Sequence, residues 1–110
     1  MDHRPAPRRL SFGAVAILHA IASGNAFGFD IMDATGLTSG TVYPALDRLE
    51  EQGLLRSKWE DPRVARREGR PPRRYFTLTG TGVAALGDAL ERHKSLRPVD
   101  LPGRRRPSEA

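Results

Sequence analysis

The sequence predicts a mostly α-helical domain with a small antiparallel β-hairpin, and three observations lead to this fold class. Apolar residues recur at helical spacing in three segments that end near residue 53. From Leu54 the period changes to two, and a second short run rich in aromatic and β-branched residues follows an arginine-rich stretch. One more helical stripe follows that run. Helices therefore dominate, and a single hairpin interrupts them.

The first helix is predicted from Ser11, which can cap it, to about Ser23, where Gly24 ends it. Its apolar stripe comprises Leu10, Ala14, Ile17, Leu18 and Ile21. A basic segment with a twin arginine precedes this run, as in some signal peptides. However, the run Phe12–Ala22 contains His19 and is shorter than the roughly 20 residues that span a bilayer. We therefore expect a core helix and no membrane partner.

Two further helices are predicted before the hairpin. The second runs from about Gly28 to Thr35, and its residues expected in the core are Phe29, Ile31 and Met32. The third begins after Thr38, its expected N-cap, and ends before Gly53 in the C′ position. Its apolar stripe consists of Val42, Ala45, Leu46 and Leu49. Pro44 lies near its first turn, where a missing N–H costs less than deep inside a helix.

The hairpin is predicted from strands at 54–59 and 75–79, joined by an unusually basic connection. The segment from Arg63 to Arg74 has one carboxylate, Glu68, and carries a net charge of +5, equal to that of the whole chain. Its arginines are Arg63, Arg66, Arg67, Arg70, Arg73 and Arg74. Connections of this length in small domains usually have a function or are disordered.

The last helix is predicted from Gly80 to about Leu96, with Thr79 as its cap. Its apolar stripe, which we expect to mediate dimerisation, contains Val83, Leu86 and Leu90. The expected organisation is therefore a disordered basic arm over 1–9, a domain of three helices and a hairpin over 10–79, a dimerisation helix over 80–97 and a disordered basic tail over 98–110.

Three helices followed by a hairpin are the element order of a winged helix-turn-helix, whose third helix enters the major groove of double-stranded DNA. Residues 10–79 are then expected to be the DNA-binding domain, with the hairpin as its wing. The six arginines of the wing are expected to neutralise backbone phosphates. The recognition-helix residues expected at the DNA are Thr38, Ser39, Gly40, Thr41, Tyr43 and Arg48. Two alternatives stay open, namely packing of Tyr43 against the wing and pairing of Arg48 with neighbouring carboxylates.

Several classes of site are not expected. The chain contains no cysteine, which excludes disulfides, cysteine-ligated zinc and thiol catalysis, and which fits a cytoplasmic location. The spacing of its carboxylates and histidines matches no metal site, and no nucleophile motif or Walker-type glycine loop is present. We therefore expect neither an enzyme nor a bound cofactor or metal.

Two stretches resemble a known family. The segments "GFDIMDATGLTSGTVYPALDRLEEQGLL" and "RRYFTLTGTG" are similar to the PadR family of bacterial transcriptional regulators. The Tyr43-Pro44 pair inside a helix is specific, because a winged helix does not otherwise need it. The similarity extends from Leu10 to about Leu90. It implies a homodimeric cytoplasmic repressor that binds a pseudo-palindrome and responds to small aromatic or other hydrophobic effectors.

Two alternatives to a sequence-specific regulator remain. The winged helix could bind nucleic acid without sequence preference, with the arginines carrying the affinity. The basic connection could instead dock an acidic protein partner.

Overall fold

The computed structural model describes residues 9–94, which form five helices and one two-stranded sheet. In chain order the elements are α1 (Phe12–Ala22), α2 (Gly28–Thr35), α3 (Ser39–Glu51), β1 (Leu55–Trp59), α4 (Pro62–Arg67), β2 (Arg74–Leu78) and α5 (Gly80–Lys94). This arrangement confirms the predicted fold class. The predicted tail, and the predicted arm apart from Arg9, lie outside the described residues.

The core lies around α1, which packs against α2, α3, α5 and β2. Its most deeply buried large side chains are Ile17, Leu18, Ile31, Val42 and Leu46. Burying one such side chain contributes about 1.5–3 kcal/mol, so the core holds α3 firmly by its apolar stripe. The opposite side of α3 is left exposed.

Two of the predicted N-caps, Ser11 and Thr79, form through their side chains. The Ser11 hydroxyl accepts a hydrogen bond from the amide of Ala14 at 3.1 Å, and the Thr79 hydroxyl accepts one from Gly82 at 3.0 Å. Gly53 follows α3 with a φ of 78°, a left-handed conformation that favours glycine.

The two strands pair antiparallel, with Ser57 opposite Phe76. On the far side of β2 the Phe76 amide donates to the carbonyl of Ala26 at 2.7 Å, which ties the hairpin to the α1–α2 loop. At the other end of the hairpin, Gly82 of α5 lies against the backbone of Leu54. A Cβ at Gly82 would collide with the Leu54 carbonyl oxygen, so this close approach requires glycine.

The arginine-rich connection differs from the sequence prediction because it contains α4. The Asp61 carboxylate caps this helix by accepting from the Arg63 amide at 2.9 Å, and Pro62 occupies the first turn. Gly69, with a φ of 69°, ends it. The Arg70 amide then donates to the Ala65 carbonyl at 3.1 Å, the hydrogen bond of a Schellman motif.

Phe29 is 71% exposed, which contradicts its predicted burial. Phe29 and Ile31 are separated by about 200° around a helix, so the two side chains cannot face the same core. Because Ile31 is fully buried, Phe29 points outward.

Candidate nucleic-acid interface

The first turn of α3 presents polar groups to solvent. Thr38, Ser39, Gly40 and Thr41 are all exposed. Thr38 occupies the N-cap position but its side chain makes no capping hydrogen bond. Within residues 9–94, the amides of Ser39 and Gly40 have no protein acceptor. Free amides at the positive end of a helix dipole suit an anionic oxygen such as a phosphate.

Tyr43 and Arg48 take different positions on α3. Tyr43 is 45% exposed, and its hydroxyl lies so close to Gly28 that a Cβ on that glycine would collide with it. Tyr43 therefore contacts the start of α2. Arg48 is exposed and makes no ion pair within the described residues, so the considered pairing with neighbouring carboxylates is not observed.

Arg74 links the hairpin to α3. Its Nη2 donates to Glu50 Oε1 at 2.5 Å, and its Nε donates to the Ser57 hydroxyl at 3.0 Å. The same hydroxyl donates to the second oxygen of Glu50 at 2.7 Å, while Asp47 lies 3.7 Å from Arg74 Nη1. The guanidinium also lies 5.2 Å from the centroid of the Phe76 ring. Arg74 thus fixes the angle between the wing and the recognition helix.

Arg70 forms a bidentate pair with Glu60 at the base of the wing. The two hydrogen bonds measure 2.6 and 2.9 Å, and the Glu60 side chain is only 9% exposed. The Arg73 amide donates to Glu60 at 3.2 Å. These interactions, the Arg70 hydrogen bonds foremost, lower the pKa of Glu60 to about 2. The wing therefore has a permanently ionised anchor at neutral pH.

Arg73 lies over an aromatic ring. Its guanidinium carbon is 4.0 Å from the centroid of Phe27, a cation–π geometry. Tyr75 meets the same ring edge to face, with 5.6 Å between the centroids. Within the described residues, the Arg73 side chain makes no ion pair or hydrogen bond.

The other three predicted wing residues lie on α4 and are exposed. Arg63 pairs with Asp61 at 3.0 Å, although its side chain is 83% exposed, and hydrogen bonds from Arg63 lower the pKa of the Asp61 carboxyl. Arg66 and Arg67 have no hydrogen bond or ion pair from their side chains in the part of the chain that is described. The structure thus divides the six arginines into two groups: Arg63, Arg66 and Arg67 on α4, and Arg70, Arg73 and Arg74 at the wing base.

Two basic residues of β1 were not predicted as site residues. Arg56 and Lys58 are exposed and alternate with Leu55 and Ser57, which face inward. The period of two in this strand is the sequence signal that places Arg56 and Lys58 on the outer face of the wing.

A cavity of about 490 Å³ opens between α3 and the wing. Its aromatic lining residues are Phe27, Phe29, Tyr43, Trp59 and Phe76. Arg70, Arg73 and Arg74 of the wing base also line it. It lies beside the exposed face of α3.

The predicted dimerisation stripe divides between core and surface. Leu86 is 7% exposed and belongs to the core of its own chain. Val83 is 60% exposed and Leu90 is 39% exposed, and the two lie seven residues apart on one side of α5. These two residues leave an apolar strip on the surface.

Among residues 9–94, no group of histidines and carboxylates is arranged to hold a metal ion. In the same range, no helix has the length and apolar character needed to cross a membrane.

Comparisons with known proteins agree with this geometry. The model of the PadR-like family of transcriptional regulators matches residues 17–88. A PadR-like transcription factor from Bacteroides fragilis is 29% identical, with a TM-score of 0.63, and the alignment covers 74% of this chain and 79% of that one.

Two further solved structures share the fold. A PadR family regulator from Clostridium difficile R20291 is 21% identical with a TM-score of 0.67, covering 76% of this chain and 88% of that chain. BpsR of Bordetella bronchiseptica is 24% identical with a TM-score of 0.71, and the alignment covers 92% of this chain and 67% of that chain. No curated protein matches the sequence significantly. With the family model matching most of the chain, this protein belongs to the PadR-like family of transcriptional regulators and is a DNA-binding regulator.

Proposed function

We propose that this chain is a sequence-specific repressor that binds an inverted-repeat operator as a homodimer and is released by a small hydrophobic or aromatic effector. The observation that carries the proposal is the first turn of α3, which is exposed and polar and whose Ser39 and Gly40 amides have no acceptor within residues 9–94. The core holds this turn in place through Val42 and Leu46 of the same helix. Rigid placement is what base readout requires.

The wing supports the same function without reading sequence. Exposed cations on β1 and α4 follow the recognition helix in the chain, and such cations release condensed counterions when they neutralise phosphates. This contribution is independent of base identity. Sequence preference is therefore assigned to α3 and general affinity to the wing.

The proposed dimerisation is supported by the surface of α5 and by the size of the domain. One winged helix contacts few base pairs, and two-fold pairing doubles the contacts on a palindromic site. The exposed Val83 and Leu90 form the apolar strip that such pairing would bury. We expect Leu90→Asp to give a monomer in sedimentation at micromolar concentration. Thr81→Asp, which adds the same charge at another exposed position of α5, serves as the control. A monomeric parent chain would contradict the proposal.

The effector is supported by the aromatic cavity and by two proteins of similar fold. The structure of BpsR concerns regulation of its DNA binding by 6-hydroxynicotinic acid, and that of PcaV from Streptomyces coelicolor is a complex with its natural ligand. We extend this type of control to the present chain.

Sequence specificity is tested with selected and random DNA duplexes. Thr41→Ala should change which bases are preferred, because one side-chain contact to a base edge discriminates by roughly 1–3 kcal/mol. The salt dependence of DNA binding should be the same for Thr41→Ala as for the parent chain. Thr81→Ala removes an exposed hydroxyl on α5 and should alter neither property.

The alternatives give different results in the same assay. A repressor binds its operator about 10³-fold or more tightly than random sequence. An architectural binder lacks this ratio, and a module that docks an acidic protein does not bind DNA. Either result would overturn the proposed function.

A further inference from the structure

Gly40 and Pro44 form the line along α3 that lies farthest from the core. With 3.6 residues per turn, both lie within about 30° of the direction opposite to the buried stripe of the same helix. Both residues are exposed. Neither has a side chain that extends far from the helix. The part of α3 that can come closest to a partner is therefore backbone and one proline ring.

The fold of the chain does not require glycine at position 40. Gly40 is not among the glycines with a positive φ. Apart from the backbone of α3, the one atom of the described residues within 4 Å of a Cβ built at Gly40 is the Thr38 hydroxyl oxygen, at 4.0 Å. Glycine inside a helix lowers its stability relative to alanine. A residue that weakens the helix, and that no internal contact requires, indicates that room is kept for a partner outside the chain.

Pro44 leaves one backbone acceptor on this line without its helical donor. In an α-helix each carbonyl accepts from the amide four residues later, and Pro44 has no N–H to offer the Gly40 carbonyl. A proline ring also crowds the carbonyl four residues before it, which favours tilting of that oxygen away from the helix axis. In the described part of the chain, no side chain and no amide from outside α3 donates to Gly40. The exposed line thus carries a hydrogen-bond acceptor.

We propose that the Gly40 carbonyl oxygen reads one exocyclic amino group in the major groove, either N6 of adenine or N4 of cytosine. These amino groups are the donors that bases present there, whereas guanine and thymine present the acceptors O6 and O4. The carbonyl therefore favours an amino base, adenine or cytosine, over a keto base at one position of each half-site. The inference rests on the proposed function, because it requires a preferred DNA sequence.

The hydroxyls of the same turn do not make this distinction. Ser39 and Thr41 can each donate or accept, because the hydroxyl proton rotates to suit its partner. A main-chain carbonyl only accepts. The absence of a side chain at Gly40 and of an N–H at Pro44 thus has a specific consequence for base preference.

The test begins with a duplex selected by the parent chain from a randomised pool. Its amino groups are then removed one at a time, with purine in place of adenine and 2-pyrimidinone in place of cytosine. At one position of each half-site we expect the deletion to weaken binding by about tenfold, within the usual range for one base contact. Whether the sensitive base is adenine or cytosine identifies the amino group that is read, and either result supports the inference.

Pro44→Ala supplies an amide that can donate to the Gly40 carbonyl within the helix. The cost of the same amino deletion should then fall from about tenfold to about twofold or less. Because alanine is the better helix former, this variant should fold at least as well as the parent chain. Glu51→Ala lies on the same exposed side of α3, leaves the backbone donors unchanged and should retain the tenfold cost.

A third protein separates the effect of the N–H from that of the proline ring. Replacing Pro44 by lactic acid, the α-hydroxy analogue of alanine, removes the ring without introducing an N–H. The Gly40 carbonyl again lacks its helical donor, so this protein should retain the tenfold cost. If it behaves as Pro44→Ala does, the ring and not the carbonyl sets the preference, and the inference is overturned. Circular dichroism verifies that each protein is folded.

The remaining outcomes separate this inference from the proposed function. If a duplex is preferred over random DNA but no amino deletion weakens its binding by more than about twofold, the carbonyl is not the reader and sequence-specific binding stands. Equal sensitivity of the parent chain and folded Pro44→Ala at every position leads to the same conclusion. If the selection yields no preferred duplex, the proposed function and this inference fail together.

Discussion

The two halves of the arginine-rich connection have the same number of arginines but different surroundings. Arg66 and Arg67 lie on α4, exposed and without ion pairs in the described part of the chain. Arg70 and Arg74 lie a few residues later, half-buried and bound to Glu60 and Glu50. Both halves carry three arginines. Their difference shows that the charge of a segment does not identify the side chains that are available to a partner.

We expect the two halves to have different roles in DNA binding. Arg66 and Arg67 on α4 make no ion pair within residues 9–94, and we propose that they bind phosphate, which would supply affinity that decreases with salt. The wing-base arginines make contacts within the molecule: Arg70 pairs with Glu60, Arg73 lies over Phe27, and Arg74 holds the hairpin against α3. DNA binding should therefore depend directly on the arginines of α4. It should depend on the arginines of the wing base through the geometry of the wing.

The largest expected effect comes from replacing all three arginines of α4 with alanine. If each contacts one phosphate, the slope of log K against log salt falls by about 0.9 per contact, or about 2.7 in total. Affinity at 0.1 M salt should fall on the order of 10²-fold for every DNA sequence. Filter binding over a range of salt concentrations measures both quantities.

Arg70→Ala is the matched control for this experiment. Because its guanidinium is held by Glu60, we expect no loss of salt dependence beyond the experimental error. A decrease in slope equal to that of a single α4 variant would mean that Arg70 reaches the phosphates, and the division between the two halves would be wrong.

A smaller effect is expected on stability. Arg74→Ala removes the partner of Glu50 and one partner of the Ser57 hydroxyl, and should lower the free energy of unfolding by about 1–2 kcal/mol. Arg66→Ala should change it by less than about 0.5 kcal/mol, as is usual for exposed positions. Urea denaturation of both variants measures the difference. Equal losses would place Arg66 in contacts that the structure does not contain.

The smallest effect concerns pH. The pKa of Glu60 is lowered to about 2 from an ordinary value of 4.5, chiefly by the Arg70 hydrogen bonds. The stabilisation from this pair is therefore complete above about pH 4.5 and decreases as the pH falls toward 2. Glu60→Gln should consequently lower the melting temperature at pH 7 and lower it less at pH 3.

Glu51→Gln provides the control for that measurement, because Glu51 is exposed and makes no ion pair within residues 9–94. Its melting temperature should follow that of the parent chain at both pH values. A difference for Glu60→Gln that does not vary with pH would indicate that the pair is not the source of the stabilisation.

Most of the fold was predictable because its signals are local. Caps at Ser11 and Thr79, a left-handed glycine at position 53 and a change of period at residue 54 define elements within a few residues. The helix α4 was missed although its signals are also local. Asp61 and Pro62 begin it and Gly69 ends it, but the run of arginines was interpreted by its charge alone.

The candidate site was less predictable because its pairs join distant positions. Glu60 and Arg70 are ten residues apart, and Glu50 and Arg74 are twenty-four apart. No periodicity indicates such pairs, since they depend on how the hairpin packs against α3. The same applies to Leu86, which shares a stripe with Leu90 in sequence but is buried in the core of its own chain.

The contact between Gly82 and Leu54 has a consequence for the spacing of operator half-sites. The Thr79 amide donates to the same Leu54 carbonyl at 3.1 Å, and the Thr79 hydroxyl donates to the Gly53 carbonyl at 2.6 Å. The start of α5 is therefore held by backbone atoms next to the end of α3, with no long side chain between them that could adjust. In a dimer paired through α5, the distance between the two recognition helices would follow from these contacts. Such a regulator would accept one half-site separation and lose affinity when a single base pair is inserted between the half-sites.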